Sequence, residues 1–226
     1  MNLTQQLTHQ LGESIVNGAY PVGQTLPSEA QLSELFKVSR SATREAVKTL
    51  AAKGLIASRP KHGIRVLPER NWNLFDGNVL RWILSSKPSL QLLKEFTQVR
   101  LGIEPIAANL AAKNANQQQL IQLQDALTRI SHADEGLDDQ LDAHIHFLNS
   151  ILAASGNRFF MQLTQFVDAA LRVSIRYSNH YKGVENTDNR FHQHLFAMIE
   201  CGDAQGAQTL VSQQIEDALS LIEARL

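Results

Sequence analysis

LPSEAQLSELFKVSRSATREAVKTLAAKGLIASRPKHGIRV, residues 26–66, is the stretch whose reading decides the fold. Ser28-Glu29-Ala30-Gln31 is a capping box: the Ser28 and Gln31 side chains can each satisfy a backbone donor left open at a helix start. A short helix is expected from there to about Phe36. Only Lys37 and Val38 separate it from Ser39, which caps a further helix running to about Lys53, where Gly54 ends it. LIASRP and IRVLP then read as two short strands around Lys61-His62-Gly63, a hairpin. Two capped helices on a tight link, followed by a hairpin, predict a winged helix-turn-helix.

Outward from this stretch, Leu3, Leu7, Leu11, Ile15 and Val16 recur near the helical period, so residues 2–17 are expected to form a helix that Gly18 stops. AYPVGQTLP, residues 19–27, reads as a turn-rich connection. On the other side, polar residues, Asn and Gly in ERNWNLFDGN replace the periodic pattern. Beyond Asp76 the pattern is helical throughout, with breaks at Pro88, 114–116, Gly136, 156–157, 182–183 and 202–203. The expected architecture is mainly α: a winged helix-turn-helix over 1–68, a linker over 69–76, and an antiparallel helical bundle over 77–226 for effector binding and dimerisation.

Charge follows the same division. Residues 1–68 carry 8 basic against 4 acidic side chains and the remainder 13 against 18, so a formal charge of -1 hides a basic module joined to an acidic one. A nucleic-acid binder attached to a regulatory domain has this asymmetry. No apolar run approaches the roughly 18 to 20 residues of a membrane span, and the start has no signal-peptide pattern, so a cytoplasmic protein is expected. Cys201, the single cysteine, excludes an intramolecular disulfide and reads as a small filler near a helix end.

On the helix after Ser39, the residues Ala42, Ala46, Val47 and Leu50 share one face; Arg40, Ser41, Arg44 and Lys48 share the other. A guanidinium can take guanine O6 and N7 with paired hydrogen bonds, and hydroxyls and lysines suit phosphate oxygens. In the bundle, Asp142, His146 and Asn149 lie beside the apolar stripe Leu141, Ile145, Leu148 and Leu152. His192 falls on the stripe of the helix after Asn189, while His194 points away. Gln214 falls within the stripe of the last helix, which is expected to pack through Ala207, Leu210, Val211, Ala218 and Leu221. One carboxylate, two imidazoles and a neutral oxygen suit a divalent transition metal, zinc first among them. The rival reading is that each inward polar group is a hydrogen-bonded core residue.

Residues 10–67, and the quoted stretch above all, resemble the winged helix-turn-helix of GntR-superfamily repressors. The resemblance implies that Arg40, Ser41 and Arg44 contact DNA, with His62 and Gly63 in the wing; the cap Ser39 and Lys48 on the same helix complete the expected DNA-binding set. Ala30 stands where an arginine is frequent, and Arg65 replaces the second wing glycine. VRLGIEPIAANLAA, the Asp142 to His146 spacing, the Gly156-Asn157 turn and His192 followed by Gly202-Asp203 resemble the FCD effector domain of the FadR-type branch. Many such domains hold a metal with an aspartate and three histidines; Asp142, His146 and His192 match three positions, and Gln214 stands at the fourth. Arg100, whose fork suits a carboxylate, is the foremost effector anchor, with Arg172, Arg176 and Asn149 behind it, and a salt bridge to Glu104 is the rival role for Arg100. WNLFDGNVLRWIL resembles sugar-acid repressors of the galactonate type.

The function expected is therefore a homodimeric repressor that binds a near-palindromic operator in double-stranded DNA and is released by a small carboxylate effector, a sugar acid. A metal-dependent enzyme acting on a small acid is the alternative from the same residues, but no activated nucleophile or separate acid/base pair accompanies them. An effector-independent DNA-binding regulator is the third reading.

Overall fold

In a computed structural model, residues 2–59, 62–86, 89–132, 137–169, 171–172 and 189–226 are described. They form two compact units, Met1–Pro88 and Ser89–Leu226.

The first unit opens with α1 (Leu3–Val16), capped by Asn2 and Gln5 exchanging side-chain and backbone hydrogen bonds. The Ser28 capping box starts α2 (Glu29–Leu35), with the Gln31 carboxamide oxygen accepting from the Ser28 N–H at 2.8 Å. Ser39 caps α3 (Arg40–Ala52) by accepting from the Ala42 N–H at 3.2 Å. Lys37 joins the two helices at φ 53°, the left-handed turn that lets the chain reverse within two residues. The hairpin is β2 (Ile56–Arg59) and β3 (Gly63–Val66), paired antiparallel with Arg59 opposite Gly63 and Ile56 opposite Val66.

Two expectations need correcting here. The connection 19–27 contains a third strand, β1 (Thr25–Leu26), which pairs with β3 and gives the sheet order β1-β3-β2. Two residues are too few to show alternation, and the strand is held by its flanks: the Gly23 N–H donates to the Val66 carbonyl and the Val66 N–H to the Gln24 carbonyl. On α3 the buried line is Thr43, Ala46, Val47 and Leu50, so Thr43 takes the place expected of Ala42. Its hydroxyl is satisfied by the Ser39 carbonyl at 3.2 Å, which lets it sit in an apolar core.

The compact division also lies later than the linker expected at 69–76. A 3-10 turn (Glu69–Asn71) and α4 (Gly77–Ser86) belong to the first unit, because Trp72, Val79 and Trp82 are buried in one core with Leu7, Leu11, Ile15, Leu32 and Leu50. Gly12 makes room for this: a β-carbon there would lie 2.3 Å from the Trp82 ring. Trp82 Nε1 donates to His9 Nδ1 at 2.6 Å, so the indole is satisfied as it is buried.

Asp76 fixes the start of α4, its Oδ1 accepting from the Asn78 and Val79 N–H groups while Oδ2 pairs with Lys53. Partial burial pushes the Asp76 carboxyl up, but the Lys53 ammonium and these amides outweigh it and hold the group below its ordinary value. A carboxylate lowered in the folded state adds stability that is complete above its unfolded value near 4 and is lost as pH falls through the folded value. Asp76→Ala is expected to cost about 2 kcal/mol at pH 7, from a lost cap and a broken, mostly buried ion pair. Urea unfolding at pH 7 and at pH 3 checks it: the difference between variant and parent shrinks at the lower pH.

The second unit is helical over its described residues: α5 (Leu90–Asn114), α6 (Gln117–His132), α7 (Leu137–Ala154), α8 (Arg158–Gln162), α9 (164–169 and 171–172), α10 (Asn189–Cys201) and α11 (Ala204–Glu223). α5 packs along α11 and crosses α7, α6 packs on α7, and α10 touches α5, α6 and α11. The expected breaks at 114–116, 156–157 and 202–203 fall between helices, whereas 182–183 and Gly136 lie outside the described residues. Among the described residues no helix is long and apolar enough to cross a membrane. Cys201 is exposed and thus not the filler expected.

Candidate functional site

In the first unit, burying Thr43, Ala46, Val47 and Leu50 leaves the opposite face of α3 to solvent: Arg40, Ser41, Arg44 and Lys48 are all exposed. Arg40 is the first residue of α3 and Ser41 the second, so both stand at the positive end of the helix dipole. Ser39 Oγ and Ser41 Oγ are 2.9 Å apart. Arg44 Nε lies 3.4 Å from Glu29 on α2, with its side chain 65% exposed. Lys48 pairs with Glu45 at 2.9 Å on the helix surface. These surface pairs contribute little to stability and are readily exchanged for another anion.

His62 and Gly63 sit at the hairpin turn, both exposed, with the His62 N–H donating to the Arg59 carbonyl at 3.1 Å. Gly63 has φ 74°, a conformation that favours glycine, so the tip is set by backbone and not by a side chain. Since Arg59 is opposite Gly63 and Arg65 opposite Ala57, Arg59 and Arg65 point to the same exposed sheet face. The strand period in the sequence already contains this second pair of guanidiniums, although the site expected from the resemblance stops at His62 and Gly63.

In the second unit, the four expected metal donors are not brought together. His192 is 1% exposed, but His146 lies open to solvent and so does Gln214. For Gln214 the reason is the phase of α11, whose buried line is Ala207, Val211 and Ile215; Gln214 is 100° away from Ile215. Leu221 is exposed for a similar reason at the end of that helix. Asp142 is ion-paired, its Oδ1 2.5 Å from Arg172 Nη1. His192 Nε2 lies 2.8 Å from His144 Nδ1, the two rings edge to face. Among the described residues no three His, Cys, Asp or Glu side chains converge as a metal site. These donors therefore do not fit a metal in this arrangement.

His144 is the residue that sequence reasoning passed over. Loss of water around its ring, then His192 and then Arg100, hold its pKa well below the ordinary imidazole value. His144 is thus uncharged at neutral pH, and which of the two facing nitrogens donates in the hydrogen bond is a matter of tautomer. A search restricted to i, i+4 spacings selects His146 and skips His144. The signal for it is its position three residues after Leu141 and four before Leu148, both buried on the apolar stripe.

The rival role expected for Arg100 is the one observed. Its Nε and Nη2 donate to Glu104 Oε1 and Oε2 at 2.6 and 3.0 Å, a two-pronged ion pair that is nearly buried. Arg172 holds Asp168 in the same way, at 3.3 and 3.2 Å, in addition to Asp142. Burial lowers the Arg172 pKa, but Asp168 and then Asp142 outweigh it and raise it. Asn149 is half-buried, and its Oδ1 is enclosed without a hydrogen-bond donor among the described residues. Arg176 lies outside the described residues.

Comparison with known proteins agrees with this division of labour. Residues 3–66 match the gntR family of bacterial regulatory proteins, and residues 95–217 match the FCD domain. An uncharacterized HTH-type transcriptional regulator of Escherichia coli, YieP, is 39% identical over 134 residues, 59% of this chain and 58% of that protein. The galactonate operon transcriptional repressor of Escherichia coli is 32% identical over 172 residues, 76% of this chain and 75% of that protein. The chain thus spans under two thirds of the first relative and three quarters of the second. A solved structure of Lar, which controls expression of the Listeria monocytogenes agr system, superposes with a TM-score of 0.65 at 19% identity, over 100% of this chain and 98% of that one, and so shares the fold. The exposed helix face, the wing and the helical unit with its polar core are those of a transcriptional regulator, and the chain belongs to the gntR family of bacterial regulatory proteins with an FCD domain.

Proposed function

We propose that this regulator binds operator DNA as a homodimer, with α3 in the major groove and the hairpin beside it, and represses until a small carboxylate effector enters the helical unit. The observation that carries the first half is the division of α3 into a buried face and a face of exposed Arg40, Ser41, Arg44 and Lys48, the first three in its N-terminal turns. Residues at the start of a recognition helix reach base edges, and on this reading Ser39, Lys48, His62 and Gly63 make the phosphate and groove contacts. Two such helices in a symmetric dimer read two half-sites, hence a near-palindrome.

The second half rests on the polar interior of the helical unit. An enclosed carboxamide oxygen with no donor among the described residues, as on Asn149, costs about 1 to 3 kcal/mol. A hydroxyl-bearing ligand supplies that donor. Among the described residues an apolar cavity beside Glu104, between Ala107, Leu148, Leu152 and Val211, holds about 10 Å³, room for one water. The galactonate operon repressor among the relatives makes sugar acids the first class to test.

The test is a gel shift on duplexes selected by the purified full chain from a random pool, repeated with galactonate, gluconate and glucuronate. Selected duplexes should share a two-fold motif, lose affinity steeply with salt, and be released by one of the acids. A complex that persists at saturating concentrations of every acid tried rejects derepression by this class.

A further inference from the structure

We propose that Arg172 is a carboxylate-binding site which the unliganded protein fills with its own Asp142, and that an acidic effector enters by exchanging with that side chain. The proposal deepens the effector reading above and rests on it for its physiological meaning.

The geometry separates the two carboxylates that Arg172 holds. Asp168 is one turn away on the same helix and takes the Nε and Nη2 edge with both oxygens. It is a local partner that keeps the guanidinium in one orientation. Asp142 comes from another helix, α7, and touches the remaining nitrogen, Nη1, through Oδ1. Its side chain is 47% exposed although Oδ1 itself is enclosed, so swinging away from Arg172 carries that oxygen into water. A guanidinium has five N–H donors, and the edge that Asp142 occupies is the one not committed within α9.

Charge decides between exchange and simple addition. Arg172 with two carboxylates already carries a formal excess of one negative charge, and Arg100, the other arginine expected to meet an effector, is neutralised by Glu104 inside the core. An anion added to this set meets repulsion. An anion that replaces Asp142 on Nη1 leaves the charge around Arg172 unchanged, since one carboxylate succeeds another. The exchange also breaks the bond between α7 and α9 and makes one to the ligand instead. An effector that acts this way has the differential affinity a switch requires, because one conformation holds the clip and the other holds the ligand. It also reverses the role of Asp142: as a metal ligand it would assist an acidic effector, whereas here it competes with one.

Carboxylate rescue tests this without knowing the effector. The probe is sodium acetate, compared with sodium chloride at the same ionic strength of about 0.1 M so that screening is equal. The readout is the thermal midpoint of the full chain for wild type, Asp142→Ala, Asp142→Asn and Asp142→Ala with Arg172→Gln. Acetate is expected to raise the midpoint of Asp142→Ala by about 2 °C over chloride. Wild type, whose site is filled, and the double variant, which has none, should respond alike to both salts. Asp142→Asn repeats the measurement in a side chain of the same size if the alanine variant folds poorly. An equal acetate response in all four proteins, or rescue that survives Arg172→Gln, overturns the assignment. Operator binding is measured separately, so loss of the regulatory reading and loss of this site show up in different experiments.

Discussion

Alanine at both Arg40 and Arg44 is expected to weaken operator binding by about two orders of magnitude, at a salt concentration held fixed, with the fold intact. Each guanidinium that reads a guanine contributes about 1 to 3 kcal/mol of discrimination, and about 1.4 kcal/mol is a factor of ten. Neither side chain supports the unit it projects from. Arg40 is exposed at the first turn of α3, and the single ion pair of Arg44, to Glu29, is long and largely in solvent. The stability of the double variant should therefore stay within about 0.5 kcal/mol of wild type, the range of ordinary surface substitutions. Quantitative gel shifts on a selected operator and on a scrambled duplex separate two outcomes. If the arginines read bases, the ratio of specific to non-specific affinity falls. If they only neutralise phosphates, both affinities fall together and the salt slope flattens. Unchanged preference for the selected operator in a folded double variant removes α3 from the recognition surface.

How much of this was legible in the sequence depends on the distance over which each feature is determined. The caps at Ser28 and Ser39, the turn at Lys37-Val38 and the stop at Gly54 are local hydrogen-bond chemistry within a few residues, and each is observed where the spacing puts it. Strand β1 was not legible, because it exists only through pairing with β3 some forty residues away. Trp72 reads as linker and Trp82 as part of the bundle, yet Gly12 on α1 leaves the space that draws Trp82 into the first core, a fact about two segments and not about either. In the helical unit the period located His192 inside and His194 outside, since a 13-residue helix allows little drift. For Gln214 the same rule fails: a wide apolar stripe does not say which edge faces the neighbour, and one residue of phase moves a side chain from core to water. The partners of Arg100, Asp142 and His144 lie still further beyond reach. Each polar group had several candidates, and only packing selects among them. The Arg100 to Glu104 pair was the exception, because i, i+4 geometry restricts the choice.

Gly54→Val should be among the most damaging single changes in the first unit, with an expected loss of about 3 kcal/mol. Gly54 ends α3 at φ 78°, donating its N–H to the Ala51 carbonyl at 3.0 Å while Leu55 donates to the Leu50 carbonyl at 3.1 Å. A β-branched residue held in this left-handed region is strained by about 1 to 2 kcal/mol. Conformation is only part of the cost, because the chain leaving the hairpin crosses directly over this residue. A β-carbon at 54 would lie 2.0 Å from the Asn71 carbonyl oxygen, so the backbone at 71–73 must move. That movement breaks the hydrogen bond from the Asn73 N–H to the Lys53 carbonyl at 3.0 Å and disturbs Trp72, whose indole donates to the Leu67 carbonyl and whose ring is buried in the core. Asparagine separates the two contributions, since it tolerates the left-handed region but still carries a β-carbon. If the crossing chain is the main cause, Gly54→Asn loses nearly as much as Gly54→Ala; if conformation alone matters, asparagine recovers most of the loss. Thermal unfolding of the three variants, followed by tryptophan fluorescence, reads the first unit selectively, because both tryptophans belong to it. A midpoint for Gly54→Val within about 2 °C of wild type would show that the Asn71 backbone yields at little cost.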